Sequence, residues 1–188
     1  MIYIANKRSK IENIQKRYPS ATILDITSDS QKRYALWLSP FYPHYNIPIP
    51  FTEGISATCV EAVWQGLKVF KDHDVDLNTF KNDTMKGIKR TVRKYGPPLG
   101  HRKGVFGSEL LDYDTARKLI YIPTYKWVLD NVPCVHETVL KIKEFSKEND
   151  VVFLDYNICQ DIDDTSKPLS HANLVKLYIE DNYPLFDY

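Results

Sequence analysis

Glu61, Trp64, Gln65 and Lys68 lie within one eight-residue run and carry complementary chemistry. A carboxyl group serves as general acid or base, and an amine stabilises an anion or, unprotonated, attacks a carbon. An amide donates and accepts hydrogen bonds at once, and an indole offers a flat face to a base or sugar. Spacing decides whether they meet. At about 100° per residue on a helix, Gln65 falls about 40° to one side of Glu61, with Lys68 about 20° and Trp64 about 60° to the other. Val60, Val63, Leu67 and Phe70 gather on a separate arc. Residues 56–70 (SATCVEAVWQGLKVF) are therefore predicted to form one helix with a core stripe and, beside it, a stripe that can do chemistry. A solvated face with a Trp at the core boundary has the same periodicity, so that reading stays open.

Other candidates lie elsewhere in the chain. Asp155 closes VVFLDY (151–156), an apolar run that reads as a buried strand. Carboxyl ends of strands are where α/β sheets place working residues, so Asp155 can orient water or a ribose hydroxyl; an Asx-turn at the strand end is the alternative. Arg90, Arg93, His101 and Arg102 lie in or beside GPPLGHRKGVFG, which holds four of the seven glycines. Arginine offers paired donors to a phosphate, and glycine lets backbone N–H groups approach, although neither a GxGxxG nor a Walker spacing is present. Asp161, Asp163 and Asp164 lack EF-hand spacing, and the histidines form no HExxH, so neither a metal nor a cofactor is expected. Cys59 has no histidine partner in the sequence pattern, and a thiol nucleophile is not expected.

The elements that must position these groups follow from punctuation and period. Residues 2–5 and 21–27 read as strands around a helix at 10–17 with Ser9 as its cap, an opening β-α-β that suggests a parallel pair. YALWLS (34–39) reads as a third strand running into a proline-rich loop. A second helix is expected over 84–95, with Met85, Ile88, Val92 and Tyr95 on one stripe. GPPLGHRKGVFG reads as a loop. Helical pattern over 115–130 contains Pro123, which predicts a kink. Helices near 137–147 and 170–180 flank the 151–156 strand. The fold class is α/β or α+β, a single domain over 1–188 with more helix than strand.

Composition bounds the function. The chain has 188 residues, 43% of them apolar, with a net charge of +1, which excludes a disordered chain. Three cysteines in no CxxC pair argue against a disulfide scaffold and for a reducing, cytoplasmic setting. No apolar run approaches the roughly 20 residues of a membrane helix, and the opening MIYIANKRSK has no signal-peptide core. Charge is polarised locally: Lys81–Lys103 holds eight basic residues and one acid, whereas Glu148 to the end holds nine acids and two lysines. Such polarity marks either an anionic ligand facing acid groups or two solvated faces.

The run Glu61-Ala-Val-Trp64-Gln65-Gly-Leu-Lys68 resembles the E-x-x-[aromatic]-Q-x-x-K helix of the NADAR superfamily (YbiA-like N-glycosidases). The likeness continues in order. Leu38-Ser39-Pro40-Phe41 resembles the loop before that helix, and Ala116-Arg117-Lys118 with Lys126-Trp127 resembles a basic helix. Glu148-Asn149-Asp150 through Asp155 resembles an acidic turn and strand, and Ser170–Tyr178 a closing helix. The resemblance makes 34–180 a NADAR-like core and 1–33 an N-terminal elaboration. Phe153-Leu154 stands where the family has Trp-Gly, and NICQDIDD replaces a glycine-rich stretch, which marks a divergent branch.

The resemblance implies cleavage of a C–N bond at ribose C1, with Glu61 as acid/base, Asp155 as a third catalytic group, and Lys68 either attacking C1 or binding an anion. Ser39, Phe41, Trp64, Gln65, Arg90, Arg93, His101, Arg102, Asp150 and Asn173 then become candidate substrate contacts. The implied partner is a small nucleotide or ADP-ribosyl adduct, free or on nucleic acid. The alternatives are a non-catalytic ADP-ribose-binding module, and a nucleic-acid binder using the 81–103 stretch.

Overall fold

A computed structural model describes residues 1–186. In chain order the elements are β1 (Ile2–Asn6), α1 (Ile11–Arg17), β2 (Thr22–Asp25), α2 (Arg33–Leu36), β3 (Ile47–Pro48), β4 (Ser56–Ala57), α3 (Val60–Gly66), β5 (Lys68–Phe70), α4 (Leu77–Phe80), α5 (Val92–Tyr95), β6 (Pro98–Arg102), β7 (Leu110–Leu111), α6 (Tyr113–Ala116), a π-helical turn (Arg117–Tyr121), α7 (Ile122–Asn131), α8 (Pro133–Phe145), β8 (Val151–Asp155) and α9 (His171–Ile179). The class is α+β: helices accompany three small sheets. No helix of the described residues is long and apolar enough to cross a membrane.

The described residues form two compact units, one of residues 1–39 and 129–184, the other of residues 40–128 with 185–186. In the first, β8 lies between β1 and β2 and runs parallel to both, with Ile4 opposite Phe153 and Leu24 opposite the same residue. The opening β-α-β therefore does not form a neighbouring pair; β8 is inserted between its strands. All five residues of β8 are buried, as expected of a strand covered on both faces. Residues 1–33, expected as an N-terminal elaboration, supply two of the three strands of this sheet.

YALWLS is not a strand. Its first half is the short helix α2, which buries Ala35, and Leu38 three residues on is buried as well. A short apolar run is the pattern in which strand and helix are hardest to tell apart.

The second unit contains a hairpin-like sheet of order β5-β6-β7, antiparallel throughout, and the β3-β4 pair. GPPLGHRKGVFG, expected as a loop, supplies β6. Gly100 explains why: a Cβ there would meet the Leu111 carbonyl oxygen at 2.4 Å, so the missing side chain is what lets β7 pair. The expected 84–95 helix shrinks to α5, because Met85 and Gly87 both adopt positive φ (59° and 66°) and end any helical run. The predicted kink at Pro123 takes the form of the π-helical turn just before it. Proline has no N–H to return to the preceding turn, and Ile122 N–H instead bonds the Arg117 carbonyl five residues back.

Candidate functional site

The predicted 56–70 helix is shorter than its pattern. It starts at Val60, where Cys59 Sγ accepts from the Ala62 N–H at 3.3 Å as the N-cap, and it ends at Gly66. A side chain at Gly66 would lie 2.2 Å from the Phe80 ring, so glycine permits α4 to pack closely. Lys68 therefore does not belong to the helix stripe. It opens β5 and sits opposite His101 of β6. Opposed residues of an antiparallel pair project on the same face, which makes His101 the direct neighbour of Lys68.

Glu61, Trp64 and Gln65 are all buried on α3. Gln65 Nε2 donates to Glu61 Oε1 at 2.8 Å, while Gln65 Oε1 accepts from the Arg90 backbone N–H at 3.0 Å. The amide is thereby held in one orientation and fixes the carboxylate. The Glu61 N–H donates to the Pro40 carbonyl at 2.9 Å, which ties the Pro40-Phe41 segment to the helix start. The Lys68 Nζ lies 5.9 Å from the Trp64 ring and makes no ion pair or hydrogen bond with the described residues. Burial lowers its pKa, Glu61 pulls it back up, and Lys89 and Arg90 press it further down.

Trp64 is not left open as a platform on all sides. The His101 imidazole lies against it with ring centroids 3.7 Å apart and a 30° tilt, and Tyr113 and Tyr121 meet it edge-on. Burial, with Lys68 alongside, drives the His101 pKa down to about 3, so the ring is neutral at ordinary pH.

The basic residues do not converge on an open anion seat. Arg90 is buried between the Phe70 and Tyr95 rings, and its guanidinium donates to the carbonyls of Lys68 at 2.5 Å and Asp74 at 2.9 Å. Arg102 makes a paired contact with the Asp74 carboxylate, 2.7 and 3.3 Å, and binds the Ser108 carbonyl. Arg93 is exposed on α5. An open depression of about 510 Å³ is lined by residues 72–76, Arg90, Lys94 and Tyr95, so acidic and basic groups share its wall. Phe41 is half-buried, with the Lys89 amine 5.3 Å from its ring centre.

Asp155, Asp150, Asn173 and Ser39 belong to the first unit. Asp155 closes β8 as expected, but its carboxylate is engaged in holding the start of α9. Oδ2 accepts from Ser170 Oγ at 2.7 Å and from the Ala172 N–H at 3.3 Å, and pairs with His171 Nδ1 at 3.0 Å. Burial disfavours its charge, yet the His171 ring and the Ser170 hydroxyl outweigh that and bring the pKa down to about 2. His171 Nε2 faces the Ile26 carbonyl at 3.0 Å, so each ring nitrogen lies beside an oxygen. Asn173 is buried and donates to the Gln160 carbonyl at 2.9 Å, pinning the acidic loop. Asp150 pairs with the Met1 amine, and Ser39 is buried with its N–H on the Leu36 carbonyl. Cys59 is buried and its thiol is pushed up to about 11, in keeping with a cap rather than a nucleophile.

One group escaped the sequence reading: His171, which shares the Asp155 carboxylate with the Ser170 hydroxyl and the Ala172 N–H, had only its position beside Ser170 as a signal. Arg117, noted only within the basic-helix likeness, is buried on the π-helical turn next to α3. Among the described residues no cluster of histidine, cysteine and acidic side chains could hold a metal ion.

No curated protein matches the chain. The profile of a family of unknown function, DUF6939, matches residues 6–175, and the chain belongs to that family.

Proposed function

We propose that the chain is a divergent relative of the NADAR glycosidases and that it hydrolyses the C–N bond between ribose C1 and a base or amine in an ADP-ribosylated or nucleotide-type substrate. One observation carries this reading: a buried carboxylate, held by a fixed amide, shares one cluster with an amine that burial has made easier to deprotonate. In this reaction the C1–N bond breaks with its electron pair passing to nitrogen, Glu61 supplies the proton that nitrogen takes up, and a water oxygen adds to C1 as the water returns its proton to Glu61. Lys68 either attacks C1 in its neutral form, to be displaced by water in a second step, or offsets the substrate's negative charge. Three free cysteines support a reducing, cytoplasmic setting.

A second reading, an ADP-ribose-binding module without turnover, gains support from Asp155. Its carboxylate is taken up by the start of α9, which leaves Glu61 and Lys68 as the remaining acid and amine.

Incubation with ADP-ribosylated guanosine and with ribosylamino-pyrimidine phosphates, followed by mass spectrometry, separates the two. The glycosidase reading expects a released base, a rate reduced about 100-fold or more in Glu61→Gln, and loss of turnover in Lys68→Ala. Borohydride trapping of an adduct at Lys68 identifies covalent attack; turnover without an adduct assigns the amine to electrostatics. No released base from either substrate, with ADP-ribose bound calorimetrically, establishes the module instead.

A further inference from the structure

The least explained group in the second unit is His101. It is 1% exposed, and neither Nδ1 nor Nε2 has a hydrogen-bond partner among the described residues. Leaving buried polar atoms unpaired is unfavourable, and folded proteins do it rarely. The ring also occupies a defined place: flat against Trp64, across the strand pair from Lys68, on the face that this amine shares. Tyr113, edge-on to the Trp64 ring, is the exposed side chain beside the ring pair, and Lys68 and Tyr121 next to it are half-buried.

We propose that the two free ring nitrogens of His101 read an uncharged hydrogen-bonding edge of the ligand, one as donor and one as acceptor, as a ribose hydroxyl or a nucleobase amide provides. The proposal rests on the preceding reading only in taking the Glu61–Lys68 cluster as a ligand site; it does not require bond cleavage. It also replaces the phosphate-anchor role that the residue type first suggests. A phosphate calls for a cation or a set of convergent donors, and a ring buried beside the Lys68 ammonium gains no proton to become one. A neutral imidazole always presents one donor and one acceptor, and that combination distinguishes a hydroxyl or amide edge from an anion.

The test uses the full chain labelled with nitrogen-15 in histidine, with His101 assigned through His101→Gln. Resonances are followed from about pH 5 to 8, where a free imidazole titrates, and then with guanosine, ADP-ribose and inorganic phosphate as probes. The expected result is a neutral ring throughout, a shift of both ring nitrogens on adding guanosine or ADP-ribose, and no response to phosphate. Titration near the ordinary histidine value, a response to phosphate, or silence towards both nucleoside probes would overturn it.

His101→Phe keeps the ring against Trp64 and removes both unpaired nitrogens. It is expected to melt no lower than the parent while binding ADP-ribose roughly tenfold more weakly, with His101→Gln recovering part of the loss. Unchanged affinity in the Phe variant would make His101 a packing residue and end the proposal. If that variant does not fold, the nitrogen shifts of the parent decide. Shifts without base release would refute the glycosidase reading alone, and base release with a silent His101 would refute this inference alone.

Discussion

Lys68 shows how a residue's chemistry is set by its surroundings rather than by its type. Its amine sits among Glu61, Lys89, Arg90 and the Trp64 ring, and the balance of burial over the single acid lowers its pKa. Lysine labelling with an amine-selective reagent across alkaline pH should therefore show Lys68 reacting with a midpoint below that of the exposed lysines. Glu61→Gln removes the group that raises the pKa, so the midpoint should move lower still; Lys89→Ala removes a repelling charge and should move it up. Stability follows with a defined sign. The native state holds this proton less tightly than the unfolded chain, so the site's contribution improves as pH rises from the lowered pKa towards the ordinary value of about 10.4. A Lys68 midpoint equal to that of surface lysines would show that the cluster is solvated.

At the scale of elements, the junction between β8 and α9 shows a working residue type used for architecture. Ser170 caps α9 through its hydroxyl, and Asp155 binds that hydroxyl, a backbone N–H and the His171 ring at once. Because the Asp155 pKa is lowered in the folded state, its contribution is fully present above the unfolded value of about 3.9 and is lost as pH falls towards 2. That difference corresponds to roughly 2–3 kcal/mol near neutrality. Asp155→Asn should lower the stability at pH 7 by an amount of that order and flatten the acid limb of a denaturation series between about pH 4 and 2. An Asn variant with unaltered stability and an unaltered acid limb would remove the structural role and return Asp155 to the list of free carboxylates.

On the scale of the whole molecule, local charge polarity resolves into committed and uncommitted groups. Of the eight basic residues between Lys81 and Lys103, Arg90 is buried against carbonyls, Arg102 is paired with Asp74 and Lys103 with Glu109. The remaining five are exposed. A protein releasing counterions from five phosphates gives a logarithmic salt slope of about −4.5, against about −7 for eight. Anisotropy titrations with a duplex DNA oligonucleotide should accordingly give either no binding or a slope no steeper than about −4.5. A slope near −7 would mean that the ion pairs open for nucleic acid, and it would favour the nucleic-acid reading. Asp187, one of the nine acids in the opposing cluster, lies outside the described residues.

Sequence alone settled what depends on neighbours along the chain. Apolar runs and local period placed β1, α1, β2, α8, β8 and α9 near their observed bounds, marked Glu61, Trp64 and Gln65 as one helical group, and flagged Pro123 as a break. Tertiary structure decided what depends on partners far along the chain. Lys68 left the helix because Gly66 yields to Phe80 and β6 offers β5 a ladder, and no periodicity encodes either event. The GPPLGHRKG run became a strand for the same reason, since a backbone rich in glycine and proline extends when edges on both sides supply hydrogen bonds. The insertion of β8 between β1 and β2 likewise follows from a pairing across more than a hundred residues. The neighbours of His101 and the ties on Asp155 were invisible beforehand on the same physical ground: burial and hydrogen bonding are properties of space, and sequence distance does not measure them.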